Sequence, residues 1–275
     1  MAIGAYSKIV STPRKIDSIH TFIGGTREDI TSAWTFVNGV RKQVFPSDEF
    51  YTEVYSQATG GAYSTTIGYG RYKIVYSGGG GSGSSVTIRK TGSVSNRSQS
   101  NGSAGQEITV YLDVEYGQTK TITGTVGTGA AGSYTYASTS SHSQTAGTPG
   151  TGYASGGTGT TKSFVVSNKF PNPGPDDTGY GAMAGGSGGG STSFFIDGVI
   201  QEIAKGGNGG GASLVNMLDG TKSVSGGTGG SGGTNSGTGA TGGAATYVAG
   251  SNSGNTSGAG SDGYVKIYKS NIYPN

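Results

Sequence analysis

Fifteen carboxylates, two histidines and no cysteine are the whole stock from which this 275-residue chain can build acid–base, nucleophilic or metal chemistry. The missing thiols exclude Cys nucleophiles, Cys-ligated zinc and a disulfide scaffold. Paired carboxylates are the remaining hydrolytic option, because two acids flanking a glycosidic bond suffice to cleave it. Asp113 or Glu115 with Glu202 would be the pair, yet nothing in their spacing brings them together. His142 sits among Ser and Thr and reads as surface; His20, beside Phe22, reads as structural. Asp176-Asp177 reads as a solvated acidic turn in preference to a cation site. The many G-x-G-x-x-G matches are products of composition with no helical pattern after them, and no G-x-x-x-x-G-K-S/T occurs. No catalytic residue, metal site or cofactor is therefore expected.

Residues suited to non-covalent recognition are more plentiful. Seventeen Tyr against one Trp, set among Ser, Gly and Asn, offer large amphipathic contact area with adaptable hydrogen bonding. Four segments read as recognition loops: Ser95–Ala104, Ser133–Thr148, Asn168–Tyr180 and Asn216–Lys222. Tyr134, Tyr136 and Tyr153 are candidate contacts in and beside the second. In the third, Pro171, Pro173 and Pro175 stiffen the chain, which lowers the entropy lost on binding. Phe170, Asn172, Asp176, Asp177 and Tyr180 are its candidate contacts.

The elements that must hold these loops are strands. Ile and Val number 34 against three Leu, and β-branched side chains favour sheets over helices. Strands are predicted over Arg71–Tyr76, Ser85–Lys90, Glu107–Tyr116, Lys120–Val126, Lys162–Ser167, Ser193–Ala204 and Gly263–Lys269. Residues 107–116 alternate Ile108, Val110, Leu112 and Val114 against Glu107, Thr109, Tyr111 and Asp113, the signature of a half-buried strand. Asp197-Gly198 predicts a hairpin turn within Ser193–Ala204.

Composition steps sharply near residue 50. Residues 1–50 hold four Gly, whereas 206–262 hold twenty. The step predicts an N-terminal attachment module (1–50), a connector with some strand character (51–69) and a glycine-rich domain (70–275). In the first module Asn38-Gly39 between Ala33–Val37 and Val40–Phe45 predicts a β-hairpin. Fifty residues are too few for a self-sufficient core, so Trp34, Phe36, Arg41 and Phe45 are the residues expected to attach it to a larger assembly.

Glycine supplies 57 residues, about three times its average share. Its tracts fall at 77–84, 124–133, 150–160, 179–190, 205–212 and 225–262, between predicted strands. Residues 226–234 repeat with period three, Gly-Gly-Thr, Gly-Gly-Ser, Gly-Gly-Thr, the period of polyproline II geometry. Collagen is excluded by the absence of Pro from the tract. The expectation is an all-β fold: a glycine-rich β-sandwich with packed polyglycine II helices, Thr and Ser at each third position facing solvent, and aromatics closing the tract ends.

Charge argues against nucleic acid. The net charge is +3 and the 18 Lys and Arg are scattered, where a nucleic-acid surface concentrates them. No apolar run is long enough to span a bilayer, and residues 1–15 hold no apolar run of signal-peptide length.

Three motifs, in order, carry a resemblance. Arg71–Ser77 running into Gly78-Gly79-Gly80-Gly81 resembles the opening of glycine-rich domains of phage tail proteins. Tyr116–Gly127 (YGQTKTITGTVG) resembles their next hairpin, with Tyr116 where those domains have Pro. Gly260–Ile267 (GSDGYVKI) is similar to their closing strand. The three span residues 70–269, and the architecture resembles the polyglycine II tail-fibre tip adhesins of T-even-like phages. The resemblance implies a virion protein assembled in the host cytoplasm that contacts a bacterial surface saccharide or protein through loops at one end. Its partners would be other tail or fibre proteins, and it would form a homo-oligomer, a trimer by analogy. A purely structural baseplate, tail-tip or head-fibre component is the alternative implied.

Overall fold

Alternating burial runs through the strands whose sequence alternates. In 107–114 Ile108 and Val114 are buried while Thr109, Tyr111 and Asp113 are exposed. The computed structural model describes residues 19–23, 26–30, 33–37, 40–45, 50–89, 94–167, 178–216, 220–230, 239–250 and 252–271, with the backbone alone for 19–45. The fold is all-β, and no helix occurs among the described residues.

Two hairpins come first, where the sequence predicts one. β1 (Ile19–Ile23) pairs with β2 (Thr26–Ile30), and β3 (Ala33–Val37) with β4 (Val40–Phe45). The expected Asn38-Gly39 turn lies outside the described residues. β5 (Tyr51–Gln57) and β6 (Gly61–Ile67) occupy the stretch read as connector, and each is an edge strand of a sheet. β7 (Gly70–Ser77), β8 (Ser85–Ile88), β9 (Val94–Gln99), β10 (Glu107–Val114) and β11 (Lys120–Val126) follow. Next come β12 (Tyr134–Ala137), β13 (His142–Thr145), β14 (Thr161–Ser167) and β15 (Thr178–Ala184). β16 (Ser193–Ile196) and β17 (Val199–Ile200) form the predicted Asp197-Gly198 hairpin, with φ of 50° and 79° in its turn. β18 (Ala212–Asn216), β19 (Gly220–Val224), β20 (Thr246–Ala249), β21 (Ser253–Thr256) and β22 (Tyr264–Ser270) complete the chain.

From residue 50 onward these strands make two groups with separate apolar cores. The first pairs a sheet ordered β10-β7-β22-β5 with one ordered β17-β16-β11-β6. Ile74, Ile122, Val126, Phe194, Val265 and Ile267 fill the space between them. Tyr76 stacks on Phe194 with ring centroids 5.0 Å apart. The second group has sheets β14-β15-β8-β20, β19-β18-β9 and β13-β12-β21, with Val86, Ile88, Phe164, Val166, Met183 and Leu214 as its core. The chain enters and leaves beside the first core: Phe50 N–H donates to Asn271 Oδ1 at 2.9 Å, and Phe50 O accepts from Asn271 N–H at 3.1 Å.

Between the two cores run the glycine tracts, and their backbone hydrogen bonds repeat every three residues. Across 78–84 every N–H donates to another segment, at 2.9–3.3 Å. Gly78, Gly81 and Ser84 donate to Gln106, Ser103 and Ser100; Gly79 and Ser82 to Gly190 and Ser187; Gly80 and Gly83 to Ser261 and Gly258. The carbonyls turn towards three further segments, accepting from Gly207 and Gly210, from Ala130, and from Gly243 and Thr246. Tract 185–191 repeats the arrangement: Gly185, Gly188 and Ser191 donate to Thr160, Gly157 and Ala154, while Gly186 and Gly189 donate to Gly210 and Gly207. Both tracts are buried along their whole length. Buried N–H and C=O groups need partners, and in these tracts neighbouring backbones supply them.

Close approach explains why glycine is required there. A Cβ on Gly79 would overlap the carbonyl of Thr128, and one on Gly188 the carbonyl of Thr228. Hydroxyls behave in two ways. In the outer tract Ser225 and Thr228 are exposed, as the period-three pattern predicts. In the central tracts Ser82 and Ser187 are fully buried instead. Ser82 Oγ accepts from Ser187 N–H at 2.8 Å, and Ser187 Oγ accepts from Gly159 N–H at 3.2 Å. A Ser oxygen thus replaces a missing backbone partner, which reverses the expectation that every such hydroxyl faces solvent.

Burial also sets a pH response. Desolvation raises the Tyr63 and Tyr76 phenols above their ordinary value, while Tyr63 donates to Ser193 O at 2.9 Å and Tyr76 to Glu202 O at 2.6 Å. The raised folded-state pKa favours the protonated fold, so this stability is fully present below the unfolded phenol value of about 10 and is lost above it. Urea midpoints are therefore expected to fall as pH rises beyond about 10, with a shallower fall in Tyr63→Phe. Equal slopes for both proteins would contradict this.

Candidate functional site

The strands of the second group end together at the pole opposite the chain's entry and exit. Arg89 N–H, just past β8, donates to Tyr180 O at 3.1 Å, and Tyr180 N–H donates to Ser138 O at 3.0 Å. These two bonds tie β8, β15 and the tip of the β12–β13 hairpin into one surface. The tip is held by Ser138, whose Oγ accepts from Ser141 N–H at 2.8 Å and Ser140 N–H at 3.2 Å. His142, at the start of β13, has a partner that its sequence context does not reveal: its ring lies 4.7 Å from that of Tyr180.

The structure sorts the candidate recognition residues into separate places. Tyr134 and Tyr136 lie on a strand, not in a loop, and alternation puts both on the outer face of the β13-β12-β21 sheet while Thr135 and Ala137 are buried. Opposite Tyr136 in the ladder is Gly254, and a Cβ there would meet the Tyr134 ring. Tyr180 belongs to the other side of the hairpin with His142. Tyr153 is 52% exposed but sits beside the first core, its ring 6.4 Å from Phe195. Phe170, Asn172, Asp176 and Asp177 lie outside the described residues. So does the segment 217–219 within Asn216–Lys222, while Asn216 and Gly220–Lys222 belong to β18 and β19.

Ser95–Ala104 is a correction. Its Ser, Asn and Gly content suggests a loop, yet β9 takes residues 94–99 and the tract 100–106 bonds to segment 78–84. The polar residues suit an edge strand with one solvated face. A bulge, with Asn96 at a φ of 47°, sets two residues of β9 opposite one of β18. Bulges re-aim side chains, and Arg97 lies 4.6 Å over the ring of Tyr247.

The attachment candidates fall on β3 and β4, where Trp34 is opposite Gln43, Phe36 opposite Arg41, and Ala33 opposite Phe45. Sequence reading missed a second surface next to Phe50. There Tyr51, Arg71, Tyr111 and Asp113 line an open groove of about 550 Å³. Arg71 Nε and Nη2 grip both oxygens of Asp113 at 2.9 and 3.0 Å. Tyr51 and Tyr111 meet edge to face at 6.5 Å. The pairing register that sets Arg71 opposite Asp113 is the signal, and it is readable only once β7 and β10 are known to pair.

Electrostatics elsewhere are structural. At the β16–β17 turn a hydrogen bond from Lys120 at 2.8 Å, then one from Thr121 N–H at 2.8 Å, holds the Asp197 carboxyl below its usual range. Asp262 accepts from Gly60 and Gly129 N–H at 2.9 Å each and pins the β5–β6 connection to the following tract. Among the described residues no three His, Asp or Glu side chains are grouped to hold a metal ion, and no helix is long and apolar enough to cross a membrane. Comparison with protein-family models and with curated proteins gives no match.

Proposed function

We propose that this chain is a phage-virion adhesin, a tail-tip or tail-fibre protein whose loop-bearing pole contacts the bacterial surface. The glycine tracts are proposed to be packed polyglycine II helices, which fits their three-residue hydrogen-bond repeat and six-fold contact with neighbouring segments. One observation carries the functional reading. Chain entry and exit lie at one pole, and the ends of β8 and β15 with the tip of the β12–β13 hairpin lie at the other. Such a body separates anchoring from recognition, as loops on a rigid scaffold do in other binding proteins. Residues 1–50 are the proposed attachment module to other tail or fibre proteins, and oligomerisation, as a trimer by analogy, belongs to the same proposal.

The test is competition. Purified full-length chain in excess should block adsorption of the phage that carries it, and particles whose copy lacks residues 1–50 should lose the protein. Failure to block adsorption, with the protein still found in the particle, would instead favour a structural virion component.

A further inference from the structure

One sheet of the second strand group adds nothing to either apolar core. Neither the cluster around Ile74 nor the cluster around Val86 contains a residue of β12, β13 or β21. That sheet lies over β8 and β15, and hydroxyls and an amide fill the seam between them. Thr87 Oγ1 lies 2.8 Å from Thr135 Oγ1, which lies 2.8 Å from Ser85 Oγ, and all three side chains are buried. Ser85 Oγ donates in turn to Asn255 O at 3.1 Å, and Asn255 Nδ2 donates to Val86 O at 3.3 Å.

The seam is also incompletely satisfied. Among the described residues five buried side-chain polar atoms have no hydrogen-bond partner, and four of them border it: Arg89 Nε, Gln144 Oε1, Thr246 Oγ1 and Ser253 Oγ. Gln144 and Ser253 pair with Thr135 and Ala137 and so share their inward side, Thr246 pairs with Ser85, and Arg89 lies two residues beyond Thr87. Apolar burial is the dominant favourable term in folding. A hydrogen bond exchanged for water gains little, and an unpaired buried atom costs free energy. The seam therefore closes weakly. One end is tethered, since Ser133 Oγ and Ser257 Oγ both donate to Gly83 O of the central glycine tract, at 3.1 and 2.7 Å. The far end is held to β15 by the bond from Tyr180 N–H to Ser138 O.

We infer that the β13-β12-β21 sheet is a lid. It lifts from β8 and β15 as a unit, pivoting where Ser133 and Ser257 enter the glycine layer, while both apolar cores stay intact. Tyr134 and Tyr136, on its outer face, move with it. The lid goes beyond the adhesin reading and stands or falls without it. Because the chain has no Cys, one introduced thiol reports on one buried position. Ala137 on the underside of the lid, Ala182 on the floor beside Thr87, and Ala204 in the first core are each fully buried. In the full-length chain iodoacetamide should label Ala137→Cys and Ala182→Cys at similar rates, each about tenfold or more faster than Ala204→Cys, which waits for global unfolding. Equal rates at all three positions would overturn the inference. So would fast labelling of Ala137→Cys with Ala182→Cys as slow as Ala204→Cys, the mark of a fraying strand. Should an added sulfur prevent folding, amide exchange of the unsubstituted chain decides. Protection of β12 should then fall with urea less steeply than that of Ile74, because lifting exposes less surface than global unfolding. Equal urea slopes would contradict the lid.

Discussion

Gly189→Ala is expected to destabilise the protein by about 3 kcal/mol or more, at the upper end for the addition of a single methyl group. The added Cβ would overlap the carbonyl oxygens of Gly79 and Gly80. Those atoms are backbone of a neighbouring buried tract, so no side-chain tip can swing aside. Gly189 also donates to Gly207 O at 2.9 Å and accepts from Gly230 N–H at 2.8 Å. Pushing its tract outward therefore strains bonds to three segments at once. Gly68→Ala is the control: nothing lies within 4 Å of its Cβ position. Its expected effect is within about 0.5 kcal/mol. Urea unfolding of the two variants checks the contrast, and similar midpoints would mean that the tracts are not close-packed.

Phe194→Ala is expected to cost about 3–5 kcal/mol. Phe194 is fully buried and stacked on Tyr76, so truncation leaves a void lined by side chains held in two sheets. The more informative readout is where that loss is felt. β16 continues without a break into tract 185–191 and on to β15, and that tract bonds to segments that lead into β8, β14 and β18. The two apolar cores are then parts of one cooperative unit. Amide protection at Val86 and Ile88, in the distant second core, should fall by the same free energy as global stability. Unchanged protection there would mean that the halves unfold separately.

The strands with alternating or β-branched residues were legible in the sequence. Lys120–Val126 has its predicted bounds, and the Asp197-Gly198 turn has the positive φ values that such a pair supplies. Harder to see were β9, β13 and β21, whose polar content gives no apolar stripe, and β12 and β20, which at four residues are too short to show one. They are strands because a neighbour's backbone pairs with them: Asn255 is opposite Thr135, and Ser98 opposite Ser213. The burial of Ser82 and Ser187 was illegible for the same reason, since a hydroxyl inside a glycine layer satisfies backbone groups that sequence does not reveal. At the candidate site, tyrosines could be found by type, but their sides could not. Tyr134 and Tyr180 fall on opposite sides of one hairpin because strand parity, set by pairing register, decides it. Arg97 over Tyr247 depends on a bulge, whose only local trace is an Asn at a φ of 47°.

Hydrogen exchange at glycine amides of the two central tracts tests the account most directly. The N–H groups of Gly79, Gly80, Gly81, Gly83, Gly186, Gly188 and Gly189 each donate to a neighbouring backbone inside a buried layer. Their exchange in the intact chain, followed by NMR with labelled glycine, should be slowed to rates set by global unfolding, matching Ile74 and Ile88 in the apolar cores. Exchange of these glycines at the rate of an unstructured peptide, while the two isoleucines stay protected, would contradict it.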